Sequence, residues 1–312
     1  MRYMNAGQLE SVLDYPSLID AISAAFKGTV HQATRAHYTI DQPGGRDATL
    51  LLMPAWTPGG YIGVKSATIF PDNAKRTSPS VMATYLLFDG STGAPLVSMD
   101  GKTLTVLRTA ATSALASKYL SRPESTSLLV VGAGSMCTAL VEAHAFVRDL
   151  TRIQIWNRSP DHAAERVQEL DAAGFTASIS TDLEAACREA DIISCATLSM
   201  EPLVKGEWLR AGTHVDLIGA YTPEMRETDS AVISRGHVFV DTFAGARSEA
   251  GDLLHAVEEG AFDFDEVESD LCALVSGQHV GRASQDEITI FKSVGAACED
   301  LAAAILAYER LS

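Results

Sequence analysis

Apolar positions in the first part of the chain recur with two different periods, one helical and one extended. Between residues 17 and 30, Leu18, Ile22 and Phe26 recur at helical spacing, which predicts an amphipathic helix. The stretch 103–120 contains neither Gly nor Pro and is rich in Ala, Leu and Ser, so it predicts one long helix. Three β-rich runs separated by turn clusters predict an antiparallel meander over residues 48–53, 61–70 and 81–88.

From Ser127 onwards the pattern changes to short, almost continuously apolar runs that alternate with helical segments such as 135–148 and 160–173. Short buried strands alternating with helices are typical of a parallel sheet covered on both faces, and six such strands fit a Rossmann fold. The predicted strands are residues 128–132, 153–157, 177–180, 192–197, 214–219 and 237–241.

These two patterns predict an α/β protein, with a Rossmann doubly wound parallel sheet and an α+β N-terminal domain. The linker-like sequence SRPEST at residues 121–126 marks the domain boundary. A helix over residues 298–309 closes the chain, and we expect it to pack back on the first domain. The predicted domains are residues 1–120 with 291–312, and residues 121–290.

The charge balance of the 312 residues is strongly acidic, since 24 Lys and Arg oppose 40 Asp and Glu and leave a net charge of −16. Such a surface repels nucleic acid and anionic membranes, so we expect neither as a partner. Any small anionic ligand then requires a local basic pocket. The five cysteines never form a CxxC pair, the N-terminus lacks a signal-peptide pattern, and no apolar stretch has membrane length. We therefore expect a soluble, cytoplasmic protein.

A metal site and a nucleophilic hydrolase are both disfavoured by the motifs that the chain lacks. Its eight histidines include no HExxH pattern, and no GxSxG elbow is present. We therefore predict no metal.

A glycine-rich turn links the first strand of the parallel sheet to a helix. Gly132 allows the tight turn, and Gly134 allows a phosphate to approach the backbone; Ser135 and Met136 follow, and Cys137 stands where a third glycine is common. A lone turn of this type is a weak signal. Within the alternating strands and helices, however, it predicts a dinucleotide cofactor.

The end of the second strand indicates which dinucleotide is bound. Enzymes that use NAD usually place an acidic residue here, against the ribose 2′-hydroxyl. This chain has Asn157, Arg158 and Ser159 instead, all of which can donate hydrogen bonds to a 2′-phosphate. The predicted cofactor is NADP(H), with NAD(H) less favoured.

Three basic residues lie where a core would not ordinarily hold a charge. Lys65 is inside an apolar strand, Arg108 is inside an uncharged helical run, and Arg35 follows the first helix. A buried charge without a partner is expensive, so Lys65 and Arg108 require an anion. A substrate carboxylate or a cofactor phosphate would serve, and so would a distant Asp or Glu.

With these features in place, the chain resembles the ornithine cyclodeaminase/mu-crystallin family over nearly its whole length. IWNRSP (155–160) resembles the members that bind NADPH. The resemblance implies a homodimer in which the α+β N-terminal domain serves for substrate binding and dimerisation, and an exposed edge of the meander would need such a partner. The other matching segments are GVKSATIFPDN (63–73), LRTAATSALA (107–116), VVGAGSM (130–136) and FKSVGAACEDLAAA (291–304).

The resemblance also implies roles for individual residues. Arg35, Lys65 and Arg108 match the basic residues around the substrate carboxylate and imine, which makes Lys65 and Arg108 the candidate catalytic residues. Tyr221 and Val294 complete the expected substrate site. The expected cofactor residues are Ser80, Thr109, Gly132, Gly134, Ser135, Met136, Asn157, Arg158, Ser159, Thr197, Gly219 and Ser293.

One departure from the family pattern bears on the reaction. Ornithine cyclodeaminases of this family carry an Asp after the fifth Rossmann strand, where this chain has Tyr221. The resemblance then implies NADPH-dependent reduction of a cyclic imino acid, Δ1-pyrroline-2-carboxylate to proline or Δ1-piperideine-2-carboxylate to pipecolate. Two alternatives stay open. One is NAD-dependent ornithine cyclodeamination to proline and ammonia, and the other is a non-catalytic, NADP-binding carrier of the mu-crystallin type.

Overall fold

The computed structural model describes residues 2–76 and 78–311, with the backbone alone at residues 74–76. It divides the chain into two compact units. The first contains the residues up to Arg108 and those from Ala296 onwards, and the second contains Thr109–Gly295. The sequence placed the boundaries at residues 120/121 and 290/291. The structure places the first boundary inside a long helix instead. It assigns residues 291–295 to the second unit, because they include the last residues of a strand of its sheet and the segment that follows that strand.

The strands of the described residues are β1 (Arg2–Met4), β2 (His31–Gln32), β3 (Ala36–Ile40), β4 (Ala48–Trp56), β5 (Tyr61–Ile69), β6 (Val81–Asp89), β7 (Pro95–Asp100), β8 (Ser127–Val131), β9 (Arg152–Trp156), β10 (Ala177–Ile179), β11 (Ile192–Cys195), β12 (His214–Leu217), β13 (His237–Val240), β14 (Val267–Asp270) and β15 (Thr289–Lys292).

The helices are α1 (Ala6–Val12), α2 (Tyr15–Lys27), α3 (Gly101–Leu120), α4 (Cys137–Val147), α5 (Pro160–Ala172), α6 (Leu183–Glu189), α7 (Ser230–Arg235), α8 (Phe243–Glu249), α9 (Gly251–Glu258), α10 (Leu271–Val275) and α11 (Ala297–Leu311).

The sheet of the first unit contains the predicted meander. Strands β4, β5, β6 and β7 pair antiparallel with their neighbours in the chain, as the turn clusters indicated. The order is β1-β7-β6-β5-β4-β2, with β3 also beside β4. The outer strands of the meander are therefore paired with short strands, and its edges are not open as the sequence suggested. Helix α11 packs on β4, β5 and β6, so one face of this sheet is covered.

The first amphipathic helix, α2, is confirmed with shifted ends. Asp14 caps it by accepting a hydrogen bond from the Ser17 amide at 2.9 Å, and the apolar positions Leu18, Ile22 and Phe26 are buried. The helix ends at Lys27, three residues before the predicted end, because Gly28 leaves the helical conformation.

The sheet of the second unit is parallel throughout, in the order β10-β9-β8-β11-β12-β15-β13-β14. The six predicted strands are present, and their order is that of a Rossmann fold. Strand β15 is inserted between β12 and β13, and β14 extends the edge. Their sequences contain polar residues such as Lys292 and Ser269, so neither gave the continuous apolar run that predicted the other strands.

Among the described residues, no helix combines the length and the apolar character needed to cross a membrane.

Candidate active site

Lys65 and Arg108 meet at a pair of carboxylates within the first unit. Lys65 lies on the face of β5 that α11 covers, and its Nζ is 2.7 Å from Oδ2 of Asp300. Arg108, in α3, places Nε 2.9 Å from Oδ1 of Asp300 and Nη1 2.6 Å from Oε2 of Glu299. All four side chains are at most 6% exposed. The distant acid that the sequence left open as a partner is therefore present, and Asp300 bridges the two cations.

Several charged side chains are concentrated in this cluster. Arg35, half-buried just before β3, adds a third cation to the two carboxylates. Burial lowers the pKa of Lys65 to about 8, an effect that Asp300 opposes and that Arg108 and Arg35 reinforce. Burial acts to raise the pKa of Asp300, but Arg108 and Lys65 outweigh it and hold the pKa below its usual range. A buried site in which three cations lie close together suits a small carboxylate ligand.

Tyr85 is a member of this cluster that the sequence analysis missed. It lies directly across from Lys65 on β6 and is fully buried, and its hydroxyl has no hydrogen-bond partner among the described residues. Burial and the charge of Asp300 raise the pKa of Tyr85 well above its ordinary value, so the phenol stays neutral. A Cβ at residue 63 would lie 1.8 Å from the Tyr85 oxygen, and this close approach explains the glycine at that position. Only the register between β5 and β6 shows that Tyr85 lies beside Lys65.

The glycine-rich turn has the geometry of a phosphate site. Gly132 has a φ of 115°, donates to the carbonyl of Trp156 at 2.8 Å, and would bring a Cβ to 2.7 Å from the Ala196 oxygen. Gly134 is exposed and faces open space, beside Ser135 and the half-buried Met136. No side chain caps the N-terminus of the eleven-residue helix α4. The open helix end and the space beside Gly134 fit a dinucleotide pyrophosphate.

At the end of β9 the three candidate residues have different roles. Asn157 accepts a hydrogen bond from the Ala133 amide at 3.2 Å and donates to the Ser159 carbonyl at 3.0 Å, so its side chain ties this loop to the glycine-rich turn. Arg158 is exposed, and Ser159 is the half-buried residue before α5. The sequence assigned all three as phosphate donors. In the structure Asn157 organises the loop, and Arg158 is the side chain that is free to reach outward.

Two further cofactor candidates are held by one buried carboxylate. Thr197, after β11, donates from its amide and its hydroxyl to Glu227, and Gly219, after β12, donates from its amide. A Cβ on Gly219 would lie 2.1 Å from the Thr197 oxygen. Gly219 is therefore glycine because of this close packing. Glu227 was missed by the sequence analysis, since a single Glu in a loop gives no signal of its own.

A second buried carboxylate holds the residues after β15. Oδ2 of Asp241 accepts hydrogen bonds from the Ser293 hydroxyl at 2.9 Å, the Val294 amide at 2.8 Å and the Gly295 amide at 2.7 Å. Tyr221 is partly buried and packs against the apolar core of the second unit. The ring of Tyr221 therefore contributes to the packing of this unit.

The candidate residues are thus divided between the two units. Arg35, Lys65, Arg108 and Ser80 belong to the first unit; Ser80 precedes β6 and accepts a hydrogen bond from the Phe70 amide at 2.8 Å. Thr109 is half-buried in α3 and is the first residue of the second unit, which contains all the other candidates. Within that unit, the candidates near residues 132, 157, 197, 219 and 293 lie at the carboxyl ends of neighbouring parallel strands, where Rossmann folds bind their ligands.

Known proteins resemble this chain over its whole length. The model of the ornithine cyclodeaminase/mu-crystallin family matches residues 4–312. The Δ1-pyrroline-2-carboxylate reductase of Colwellia psychrerythraea is 37% identical over 317 residues, which cover 100% of both chains.

Two solved structures are also similar. The Δ1-pyrroline-2-carboxylate reductase of Thermococcus litoralis, in complex with NADH and L-proline, is 32% identical with a TM-score of 0.94, over 99% of this chain and 97% of that one. An archaeal alanine dehydrogenase dimer with bound NAD is 30% identical with a TM-score of 0.92, over 99% of this chain and 95% of that one.

Proposed function

Because the chain belongs to the ornithine cyclodeaminase/mu-crystallin family, we propose that it uses a nicotinamide cofactor to reduce a cyclic α-imino acid, Δ1-pyrroline-2-carboxylate or its six-membered homologue. The observation that carries this proposal is the buried cluster of Lys65, Arg108, Glu299 and Asp300. Together with Arg35 it brings three cations close together in a buried site, which suits a substrate that carries a carboxylate.

In the proposed mechanism, Arg108 and Arg35 hold the substrate carboxylate, and their fixed positions orient the ring. Lys65, with a pKa of about 8, is mostly protonated at pH 7. It supplies a charge beside the imine and can return a proton to the ring nitrogen through water. The bound cofactor supplies the hydride that reduces the C=N carbon. The hydride and one proton convert the imine to the secondary amine.

The environment of Tyr221 disfavours ornithine cyclodeamination. That reaction takes protons from an amine and expels ammonia, which suits a carboxylate at this position, whereas a phenol with an unperturbed pKa near 10 is a poor base at neutral pH. The ring of Tyr221 packs against the core of the second unit, as a structural residue does.

One set of incubations tests the three functions. We expect oxidation of NADPH with pyrroline-2-carboxylate or piperideine-2-carboxylate, and little ammonia from ornithine with NAD. Rapid release of ammonia without reduction of either imine would identify a cyclodeaminase. Tight cofactor binding without any turnover would identify a carrier.

We further propose NADPH as the preferred cofactor, supported by the exposed guanidinium of Arg158 and the absence of an acidic residue at the end of β9. A charge-assisted bond to the 2′-phosphate contributes about 1.5–3 kcal/mol, so kcat/KM with NADPH should exceed that with NADH by at least roughly tenfold. Arg158→Ala should remove most of this difference. Arg152→Ala, at the opposite end of β9 and paired with Glu189, should not. Equal use of both cofactors by the wild type would refute the preference.

We propose that the protein is a homodimer, and the sheet face opposite α11 supports a second copy as the partner. Exposed apolar side chains on the sheet of the first unit include Tyr3, Tyr38, Trp56 and Met82. Tyr38 and Met82 belong to one cross-strand row, through Leu50 and Thr68, and cross-strand neighbours share a face. An apolar face of this kind is usually covered. The alanine dehydrogenase with this fold is a dimer.

Sedimentation analysis at micromolar concentration should give the mass of two chains. Met82→Lys should shift the equilibrium towards one chain, whereas Phe146→Lys, an equally exposed apolar residue of the second unit, should not. A wild-type mass of one chain would refute the dimer.

We also propose a cytoplasmic location, which the five unbridged cysteines support. Fractionation of the source cells would test it.

A further inference from the structure

A single buried side chain links two of the strand ends in the second unit. Oε1 of Glu227 accepts hydrogen bonds from the Thr197 amide at 2.6 Å and the Thr197 hydroxyl at 2.9 Å. Oε2 accepts from the amides of Gly219 at 2.8 Å and Ala220 at 3.3 Å. Glu227 is 0% exposed. Four donors thus converge on one carboxylate, which connects the segments that follow β11 and β12.

The buried group that surrounds Glu227 contains more negative than positive side chains. Asp252 on α9 accepts a hydrogen bond from the Glu227 amide at 2.7 Å. Asp252 also forms an ion pair with Lys292 on β15 at 2.9 Å, and the side chains of Asp252 and Lys292 are fully buried. Cys195 on β11 also faces this group, but burial raises its pKa well above the ordinary value, so the thiol is neutral. Two carboxylates therefore share one ammonium. Burial raises the pKa of Glu227 to about 7; Lys292 opposes the rise and Asp252 adds to it.

Protonation would break this arrangement for a geometric reason. A carboxylate accepts on both oxygens, but a carboxylic acid must donate through its O–H. With four donors directed at Glu227, the added proton would face an amide N–H that can only donate, or the Thr197 hydroxyl, which would have to turn and accept. At least one hydrogen bond to Thr197, Gly219 or Ala220 would then be lost or reversed. Thr197 and Gly219 are also the positions at which the proposed function places the cofactor.

We propose that Glu227 is a positioning residue whose ionised form holds the Thr197 and Gly219 segments in the shape that receives the nicotinamide cofactor, so that cofactor affinity falls when Glu227 takes up a proton. This inference rests on the proposed function, which places the cofactor at these two segments.

The first test is cofactor binding as a function of pH, measured by nicotinamide fluorescence with NADPH and with NADH. NADH is included because it lacks the 2′-phosphate, which titrates in the same range. A pKa of about 7 leaves about nine tenths of Glu227 ionised at pH 8 and about one tenth at pH 6, so the dissociation constant should rise by up to about tenfold on acidification. Glu227→Gln should bind both cofactors more weakly at every pH, and its binding of NADH should show no step near pH 7.

The second test requires no cofactor. Hydrogen exchange of the free protein should show that the amides of Thr197, Gly219 and Ala220 lose protection relative to their intrinsic rates as the pH falls through 7. In Glu227→Gln, protection of the same amides should be reduced and independent of pH. These amides report on Glu227 even if neither cofactor binds.

Two control variants separate Glu227 from other buried acids. Asp191 accepts hydrogen bonds from the Thr126 and Ser127 amides and directly precedes β11, at the opposite end of that strand from Thr197, so Asp191→Asn should lower stability and keep the pH step. Asp216, whose pKa burial raises, is held by the hydroxyls of Ser113 and Ser194, and Asp216→Asn should also keep the step.

The outcomes are distinct. Failure of both cofactors to bind at any pH would refute the proposed function. An NADH affinity and amide protection that do not change with pH, or a pH step in NADH binding that survives in Glu227→Gln, would overturn the role of Glu227 and leave the proposed function standing.

Discussion

Raising the pH from 7 to 9 should remove the proton of Lys65 and with it one positive charge of the proposed substrate site. Burial lowers the pKa of this ammonium to about 8, against the opposing effect of Asp300. The protonated fraction is then about nine tenths at pH 7 and about one tenth at pH 9. If only the protonated form binds the substrate productively, kcat/KM should fall about tenfold over this range, equivalent to about 1.4 kcal/mol.

The assay must separate the titration of Lys65 from that of the imine substrate. Pyrrole-2-carboxylate is a planar ring carboxylate without a basic nitrogen, so the pH dependence of its inhibition constant reports only on the protein. This constant should rise about tenfold between pH 7 and pH 9, in parallel with the fall in kcat/KM. Lys65→Arg keeps the charge at every pH in this range, because a guanidinium is not deprotonated in proteins. Its inhibition constant should be flat.

A wild-type inhibition constant that stays flat to pH 9 would refute the reasoning, since it would mean that the ammonium keeps its proton or does not face the ligand. A step that persists in Lys65→Arg would assign the titration to another group.

Three further predictions concern Arg108, Gly63 and Glu227. Arg108→Ala should lower kcat/KM at least roughly a hundredfold, about 2.7 kcal/mol, while the cofactor dissociation constant stays unchanged and shows that the protein is folded; an unchanged kcat/KM would remove Arg108 from the site. Gly63→Ala should lower the free energy of unfolding in urea by about 1–3 kcal/mol, because its Cβ would lie 1.8 Å from the Tyr85 oxygen, whereas Gly7→Ala, in an open helical position, should not destabilise the protein. The unfolding free energy of the wild type should decrease relative to that of Glu227→Gln as the pH rises from 5 to 8, because a folded-state pKa of about 7 retains a proton that the unfolded chain has already released; parallel pH profiles would contradict it.

The meander strands, helix α2 and the relative order of the six predicted parallel strands could be predicted from the sequence. Turn clusters separated the meander strands, and the spacing of Leu18, Ile22 and Phe26 predicted α2, because these signals depend on residues close together in the chain. The glycine at position 132 was also predictable, since a strand-to-helix turn with a φ of 115° excludes most other residues. The family resemblance pointed to Lys65 and Arg108 as a pair.

The partners of those two cations were decided by the tertiary structure. Arg108 meets Glu299 and Asp300 from 191 and 192 residues away, and this happens only because α11 packs across the meander. Tyr85 reaches Lys65 through strand register, and no residue near either of them in the sequence indicates this contact.

Strand β15 and the chemistry of Glu227 were also decided by the tertiary structure. A four-residue strand that ends in Lys292 has no recognisable apolar pattern until its neighbours β12 and β13 bury it, and Lys292 then finds Asp252. Glu227 acquires its raised pKa only when folding removes water from around it and brings four donors and a second carboxylate together. Hydrophobic periodicity is a property of neighbouring residues, and it determined the elements. Burial and charge pairing depend on which elements pack together, and they determined the chemistry of the site.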